Sequence, residues 1–236
     1  MNNNSVWAVV PAAGIGSRMQ ADRPKQYLPL GNKTVIEQTI ERLATHSAIT
    51  GVVVALAPED TWWTEIKWPE NTSLHLVDGG QTRADSVHNA LHKLAELTSD
   101  NPWVLVHDAA RPCIRHDDID AMILLLSDHS VGGVLGVPVN DTVKRVCENK
   151  NITSTVDREG LWRASTPQMF RLDSLSSALI QAKQQGEVIT DEASAMEFAG
   201  FQPKMIEGHA DNIKITLPSD LALAELFLQQ QAGEIK

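Results

Sequence analysis

A short apolar run, Val6 to Val10, opens directly into Pro11-Ala12-Ala13-Gly14-Ile15-Gly16-Ser17-Arg18-Met19, and Pro24-Lys25-Gln26-Tyr27 follows closely. β-Branched and aromatic residues in so short a run predict a buried strand. The loop that leaves it has few bulky side chains, so its backbone N–H groups can come close to a ligand. Two fixed cations, Arg18 and Lys25, arrive just behind it. A small-residue loop after a strand, backed by an arginine and a lysine, suits a chain of phosphates. The plainer alternative is a tight strand-to-helix turn with ordinary surface cations. The dinucleotide fingerprint is excluded because Met19 stands where its third glycine belongs, and Val52–Ala57 leads into Pro58 rather than an acidic ribose ligand. A Walker-type loop would end Gly-Lys-Ser/Thr, and this one reads Gly-Ser-Arg.

Beyond the loop, strand and helix patterns alternate. Strands are predicted at Val6–Val10, Val52–Ala57, Leu74–Val77, Trp103–Val106 and Val134–Val137, with helices near Thr34–His46, Thr82–Leu97 and Asp118–Ser127. Such alternation predicts an α/β fold, a mainly parallel sheet with helices on both faces. Ligands on such sheets bind beyond the carboxyl ends of the strands. Three polar clusters fall there: the glycine loop, Asp78-Gly79-Gly80-Gln81-Thr82-Arg83-Ala84-Asp85-Ser86, and His107-Asp108-Ala109-Ala110-Arg111-Pro112. Between Val139 and Thr166 the rhythm breaks into two alternating runs around Glu148-Asn149-Lys150-Asn151, which reads as a projecting hairpin. A lone hairpin is poorly stable in water, so it is expected to pack on its own domain or on a second copy. Helices near Leu172–Gln184, from an N-cap at Thr190, and over Ser219–Gln230, with a strand at Pro203–Glu207, close the chain. Lys214 alternates with Ile213 and Ile215 and is expected to point away from that apolar side. Residues 1–236 are read as one domain, with 139–166 as an arm within it.

Composition narrows the partners. A net charge of −10 over 236 residues argues against a nucleic-acid surface, so a phosphate ligand must be held by a few local cations. No apolar run approaches the ~20 residues of a membrane span, and the opening Met-Asn-Asn-Asn-Ser has the look of neither a signal nor a transit peptide. The two cysteines, Cys113 and Cys147, lack paired spacing, and Cys113 is expected to fill space rather than to react. A cytoplasmic setting is expected.

Taken together, Pro11-Ala12-Ala13-Gly14-x-Gly16-x-Arg18-Met19, Pro24-Lys25-Gln26-Tyr27, Asp78-Gly79-Gly80, Arg83-Ala84-Asp85-Ser86-Val87, His107 to Pro112, Thr190-Asp191-Glu192-Ala193 and Asp211-Asn212-Ile213-Lys214 resemble the 2-C-methyl-D-erythritol 4-phosphate cytidylyltransferase family. The resemblance runs from about Val6 to Leu226 with the motifs in the family's order. It implies a Rossmann-like α/β domain that dimerises through an extended β-arm, and cytidylyl transfer from CTP to a polyol phosphate with Mg²⁺. Ribitol-5-phosphate cytidylyltransferase is the nearest alternative; the Pro-Ala-Ala-Gly opening and the Thr-Asp-Glu-Ala-Ser-Ala run favour methylerythritol phosphate. A nucleotide-binding regulator without turnover is a second alternative, against which an acceptor-phosphate clamp would speak.

The resemblance also implies roles. Arg18 and Lys25 would hold the triphosphate and stabilise the transition state, with Ala12, Ala13 and Gly14 against the nucleotide. Gly80 and Ser86, with Arg83 nearby, would read cytosine. Arg158 and Lys214 would grip the acceptor phosphate, with Asp108, Arg111, Thr142, Thr166 and Thr190 as further acceptor contacts. Asp108, and more weakly Asp211, would stand near Mg²⁺, which is expected to be held mostly by phosphate oxygens and water. Ser17 stands where relatives often have a second basic residue.

Overall fold

In the computed structural model, which describes residues 5–14, 22–68 and 72–234, the elements run in chain order. They are β1 (Val6–Pro11), β2 (Pro29–Leu30), β3 (Lys33–Thr34), α1 (Val35–Ala44), β4 (Ile49–Leu56), β5 (Leu74–Asp78), α2 (Arg83–Leu97), β6 (Trp103–Val106) and α3 (His116–Leu126). There follow β7 (Gly132–Pro138), β8 (Val143–Val146), β9 (Ile152–Val156), β10 (Trp162–Arg171), α4 (Leu172–Gln184), α5 (Glu192–Phe198), β11 (Lys204–Glu207) and α6 (Pro218–Glu234). The main sheet has seven strands in the order β11-β7-β10-β6-β1-β4-β5, with β10 antiparallel to both neighbours and the rest parallel. The expected α/β, Rossmann-like fold is therefore observed.

Alternation along β1 explains the layers. Val6, Ala8 and Val10 face one side, where Ile36, Ile40 and Leu43 of α1 and Met122 of α3 cover them. Trp7 and Val9 face the other, against Val87, Leu91 and Leu94 of α2, Leu175 of α4 and Met196 of α5. Strands covered on both faces can be apolar throughout, which is why β1, β4 and β6 read as continuous runs. After β1 the chain builds outward through β4 and β5, then returns to the other side of β1 as β6. The order reverses there, so the loops after β1 and β6 part and leave a crevice.

Most predicted elements match within a few residues. The exceptions are the short pair β2 and β3, and β10, where Pro167 argues locally against a central strand. The structure accommodates it with a register shift between Ala164 and Gln168. Residues from Trp162 onward pair with β7, and the separate hairpin is β8 with β9. Thr190 is not the N-cap of α5. Asp191 is, accepting from the Ser194 N–H while the Ser194 hydroxyl turns back in a reciprocal box. Among the described residues, no helix is long and apolar enough to cross a membrane.

Candidate active site

The crevice at the strand-order reversal is lined by Pro11–Gly14 after β1, Lys25 and Gln26, Gly80–Arg83 and Ser86 before and within α2, Asp108–Ala110 after β6, and Lys214. The three loops expected to converge do so. Gly79 lets the loop after β5 reach the one after β1, since a Cβ there would run into the Ala13 methyl and lie 3.0 Å from the Leu56 carbonyl. Gly14 differs: among the described residues, a Cβ on it would meet no atom within 4 Å, although the residue lines the crevice.

Lys25 sits in a single 3-10 turn, Lys25–Tyr27, and its Nζ donates to the Ile215 carbonyl at 2.9 Å. Neighbouring Gln26 is buried and donates from Nε2 to the Ala12 carbonyl at 2.8 Å, tying this turn to the glycine loop. Arg18 lies outside the described residues.

Asp108 is the only carboxylate lining the crevice among the described residues. Arg83 Nε reaches its Oδ1 at 3.0 Å, Lys214 Nζ its Oδ2 at 2.8 Å, and Arg111 Nε lies 3.5 Å from Oδ2. Burial alone would raise this carboxyl, but Arg83, Lys214 and Arg111 outweigh burial and hold it well below the usual carboxylate range. Arg83 also forks onto buried Glu192, with Nη1 at 2.6 Å from Oε1 and Nη2 at 3.0 Å from Oε2. Burial opposes the charge on Arg83, yet Glu192 and Asp108 together keep it firmly protonated. The Arg83 guanidinium is thus held by two carboxylates, and it sets Asp108 in place while lining the crevice.

A hydrogen-bonded chain lies beneath Asp108. Its backbone N–H donates to Thr166 Oγ1 at 3.0 Å, that hydroxyl is 3.2 Å from His107 Nδ1, and His107 Nε2 is 2.9 Å from the Arg111 carbonyl. The chain is complete only when His107 is neutral, with Nε2 donating and Nδ1 accepting from Thr166. Burial pushes the His107 pKa down to about 4. An unfolded histidine takes up a proton near ~6.5, so between these values the unfolded state binds the proton the folded state refuses. His46, also lowered by burial, acts in the same sense. Urea unfolding is expected to show about 2 kcal/mol less stability at pH 4.5 than at pH 7 from His107. His107→Gln should flatten that dependence, and an unchanged slope would exclude His107 as its source.

The remaining expected residues fall into two groups. Arg111 donates from Nη1 to the Asn212 carbonyl, and the Asn212 side chain in turn donates to the Thr166 carbonyl, so Arg111 and Thr166 both lie directly behind Asp108. Thr142, Arg158 and Thr190 are exposed and do not line the crevice; Arg158 donates to the Asn140 carbonyl at the base of the hairpin. Asp211 is engaged elsewhere. Its Oδ2 accepts from Arg115 at 2.6 Å and from Gln231 of α6 at 3.1 Å, which anchors the loop carrying Lys214. Asp211 does not line the crevice. Cys113 fills space as expected; burial first, then Asp211, pushes its thiol up to about 12.

Glu192 receives no role from the sequence, although a signal is present. It shares one face of α5 with Ala195 and Met196, so a carboxylate falls on the buried stripe of a helix. A charge placed there needs a partner.

Among the described residues, no three His, Cys, Asp or Glu side chains gather to hold a metal ion. Mg²⁺ commonly takes one or two carboxylates and leaves its other positions to water and substrate phosphates. Asp108 fits that pattern as a single carboxylate in a crevice flanked by Lys25 and Lys214.

An open, mainly parallel sheet with a glycine-lined, lysine-flanked crevice at its switch point defines a Rossmann-like α/β protein, and the family match that follows makes it a nucleotidyltransferase. A family model described as IspD, 2-C-methyl-D-erythritol 4-phosphate cytidylyltransferase, matches residues 6–230. The chain belongs to that family. It is 52% identical to the 2-C-methyl-D-erythritol 4-phosphate cytidylyltransferase of Vibrio vulnificus (strain YJ016) over 227 residues, 96% of each chain. It is 50% identical to the protein of that name from Hahella chejuensis (strain KCTC 2396), over 98% of this chain and 95% of that one. Among solved structures, the Francisella tularensis 2-C-methyl-D-erythritol 4-phosphate cytidylyltransferase superposes with a TM-score of 0.82 at 36% identity, over 95% of this chain and all of the other. A crystal structure of 4-diphosphocytidyl-2C-methyl-D-erythritol synthase gives 0.81 at 38% identity, over 95% and 99%.

Proposed function

We propose that this protein transfers the cytidylyl group of CTP to the phosphate of 2-C-methyl-D-erythritol 4-phosphate, releasing pyrophosphate. The observation that carries the reading is the crevice itself: a glycine loop with open space at Gly14, flanked by Lys25 and Lys214 and centred on Asp108. An oxygen of the acceptor phosphate attacks the α-phosphorus, and the bond to the β-phosphate oxygen breaks with its electron pair. No general base is required, because a phosphate monoester with a second pKa near ~6 is largely dianionic at neutral pH. The protein must align two anions that repel and meet the charge growing at the α-phosphate.

Lys25 and Arg18 serve that charge, while Lys214 turns from Asp108 toward the acceptor phosphate. The backbone of Ala12, Ala13 and Gly14 packs on the nucleotide. Ser86 Oγ accepts from the Gly80 N–H at 3.1 Å and donates to the Thr82 carbonyl at 3.0 Å. A hydroxyl oxygen has two lone pairs, so one remains for the amino group of cytosine, a donor that uracil lacks. Mg²⁺, held by phosphate oxygens, water and Asp108, would neutralise the triphosphate.

Arg158 and Thr142 complete the acceptor site from the arm of a second copy. Support comes from their exposure and from the apolar side chains exposed on the arm, Val146 and Ile152 above all. Arg158→Ala is expected to raise the KM for the acceptor about tenfold or more with little change in kcat, the pattern of lost ground-state binding. Sedimentation should show a dimer; a fully active monomer would remove the shared site. The reaction is tested by pyrophosphate release with CTP, Mg²⁺ and 2-C-methyl-D-erythritol 4-phosphate, with ribitol 5-phosphate in parallel. Release with the second acceptor alone would reassign the substrate, and silence with both would reject the transfer.

A further inference from the structure

We infer that Asp60 and Trp62, on the loop after β4, form a clamp that sets the position of Lys25 and are positioning residues for the transfer; this rests on the role given to Lys25 above. Neither residue lines the crevice, and neither belongs to the motifs that flagged the site. Among the described residues, the 3-10 turn carrying Lys25 has no side-chain cap and two backbone bonds of its own, Tyr27 N–H to the Pro24 carbonyl and Leu28 N–H to the Lys25 carbonyl. One such turn does not hold itself in water, so its geometry must come from outside.

Beside the Gln26 tie to the glycine loop, the loop after β4 supplies it on both sides of Lys25. Two residues before, the Arg23 guanidinium lies over the Trp62 ring at 4.7 Å. Two residues after, the buried Tyr27 ring stacks on Trp62 with centroids 6.5 Å apart, and its hydroxyl donates to Asp60 Oδ2 at 2.7 Å. Asp60 is itself fixed, because its Oδ1 accepts from the backbone N–H groups of Trp62 at 3.0 Å and Trp63 at 3.1 Å. One carboxylate thus holds both the tyrosine and the turn that presents the tryptophan. Burial, then Asp60, raises the Tyr27 pKa, so its phenol remains a donor. The contacts at Arg23 and Tyr27 straddle Lys25, so its backbone is gripped on either side while Nζ reaches Ile215.

The test is Trp62→Ala beside Trp62→Phe, with hydrogen exchange read by mass spectrometry over residues 22–28 and steady-state kinetics on the full chain. Trp62→Ala is expected to speed exchange in that segment about tenfold while β1 and β6 keep their protection, the factor expected for losing an aromatic and a cation–π contact. It should lower kcat about tenfold with the KM for CTP moving far less, and Trp62→Phe should recover most of both. Tyr27→Phe, which deletes only the hydroxyl, should move the same segment by a smaller factor. In a Lys25→Ala background, Trp62→Ala should leave kcat where it stands, because the two act through one group. Unaltered exchange over residues 22–28 in both Trp62→Ala and Tyr27→Phe would overturn the clamp, and so would a kcat loss in the Lys25→Ala background equal to that in the parent. If Lys25→Ala alone leaves turnover untouched, the role of Lys25 falls, and the exchange result still decides the clamp.

Discussion

Lys25→Ala is expected to lower kcat by about 10²–10³ while the KM for CTP changes far less. Negative charge at the α-phosphate grows on the way to the transition state, so a cation fixed there counts most at that moment. The ammonium is held in advance: its Nζ bonds the Ile215 carbonyl, and its turn is tied to the glycine loop through Gln26. A pre-positioned charge in a crevice partly shielded from water needs no reorganisation as the reaction proceeds. Lys25→Arg should restore little, because a broad planar fork cannot occupy the place of a compact ammonium. Single-turnover measurements at saturating CTP separate chemistry from release, and an unchanged rate there would take Lys25 out of the transition-state role.

Glu192→Gln is expected to cost about 3 kcal/mol of stability, since it breaks a buried ion pair and leaves a guanidinium short of its counter-charge. Glu192 is 1% exposed and Arg83 keeps only Asp108 once the pair is gone. For a chain of this size that corresponds to a fall in Tm of about 6–12 °C. Glu192→Leu, which cannot hydrogen-bond the fork at all, should be worse than the isosteric change. Catalysis should suffer as well, because Arg83 sets Asp108, and Asp108 in turn holds Lys214. Calorimetry on the two variants checks the first part, and a Tm within about 1 °C of the parent would show that the pair has little worth.

Much of this was legible because the cues are local. A short β-branched run followed by small residues marks β1 and its loop whatever surrounds it, and Thr34 and Thr82 each cap a helix through a partner three residues on. Loops that end parallel strands converge by topology alone, so Gly80, Asp108 and the glycine loop could be placed together from their order. Alternation turns Lys214 away from Ile213 and Ile215, and on that other side it meets Asp108.

What escaped was set by contacts distant in sequence. Pro167 disfavours a central strand on local grounds, and pairing with β6 and β7 on either side of β10 overrode that preference. Thr190 and Asp191 are both good caps; the choice fell to Asp191, which also accepts from Gln168 of β10 at 2.8 Å.

Most of the strands, the helices between them and the chemistry of three loops were determined by the sequence alone, because periodicity and turn chemistry act over a few neighbouring residues. The tertiary structure decided which charges meet. Arg83 finds Glu192 across 109 positions, Lys25 finds the Ile215 carbonyl across 190, and Asp211 is drawn to Arg115 and Gln231 rather than to the crevice. Electrostatic partnership depends on distance in space and on exclusion of water, and a linear pattern encodes neither until the sheet has formed.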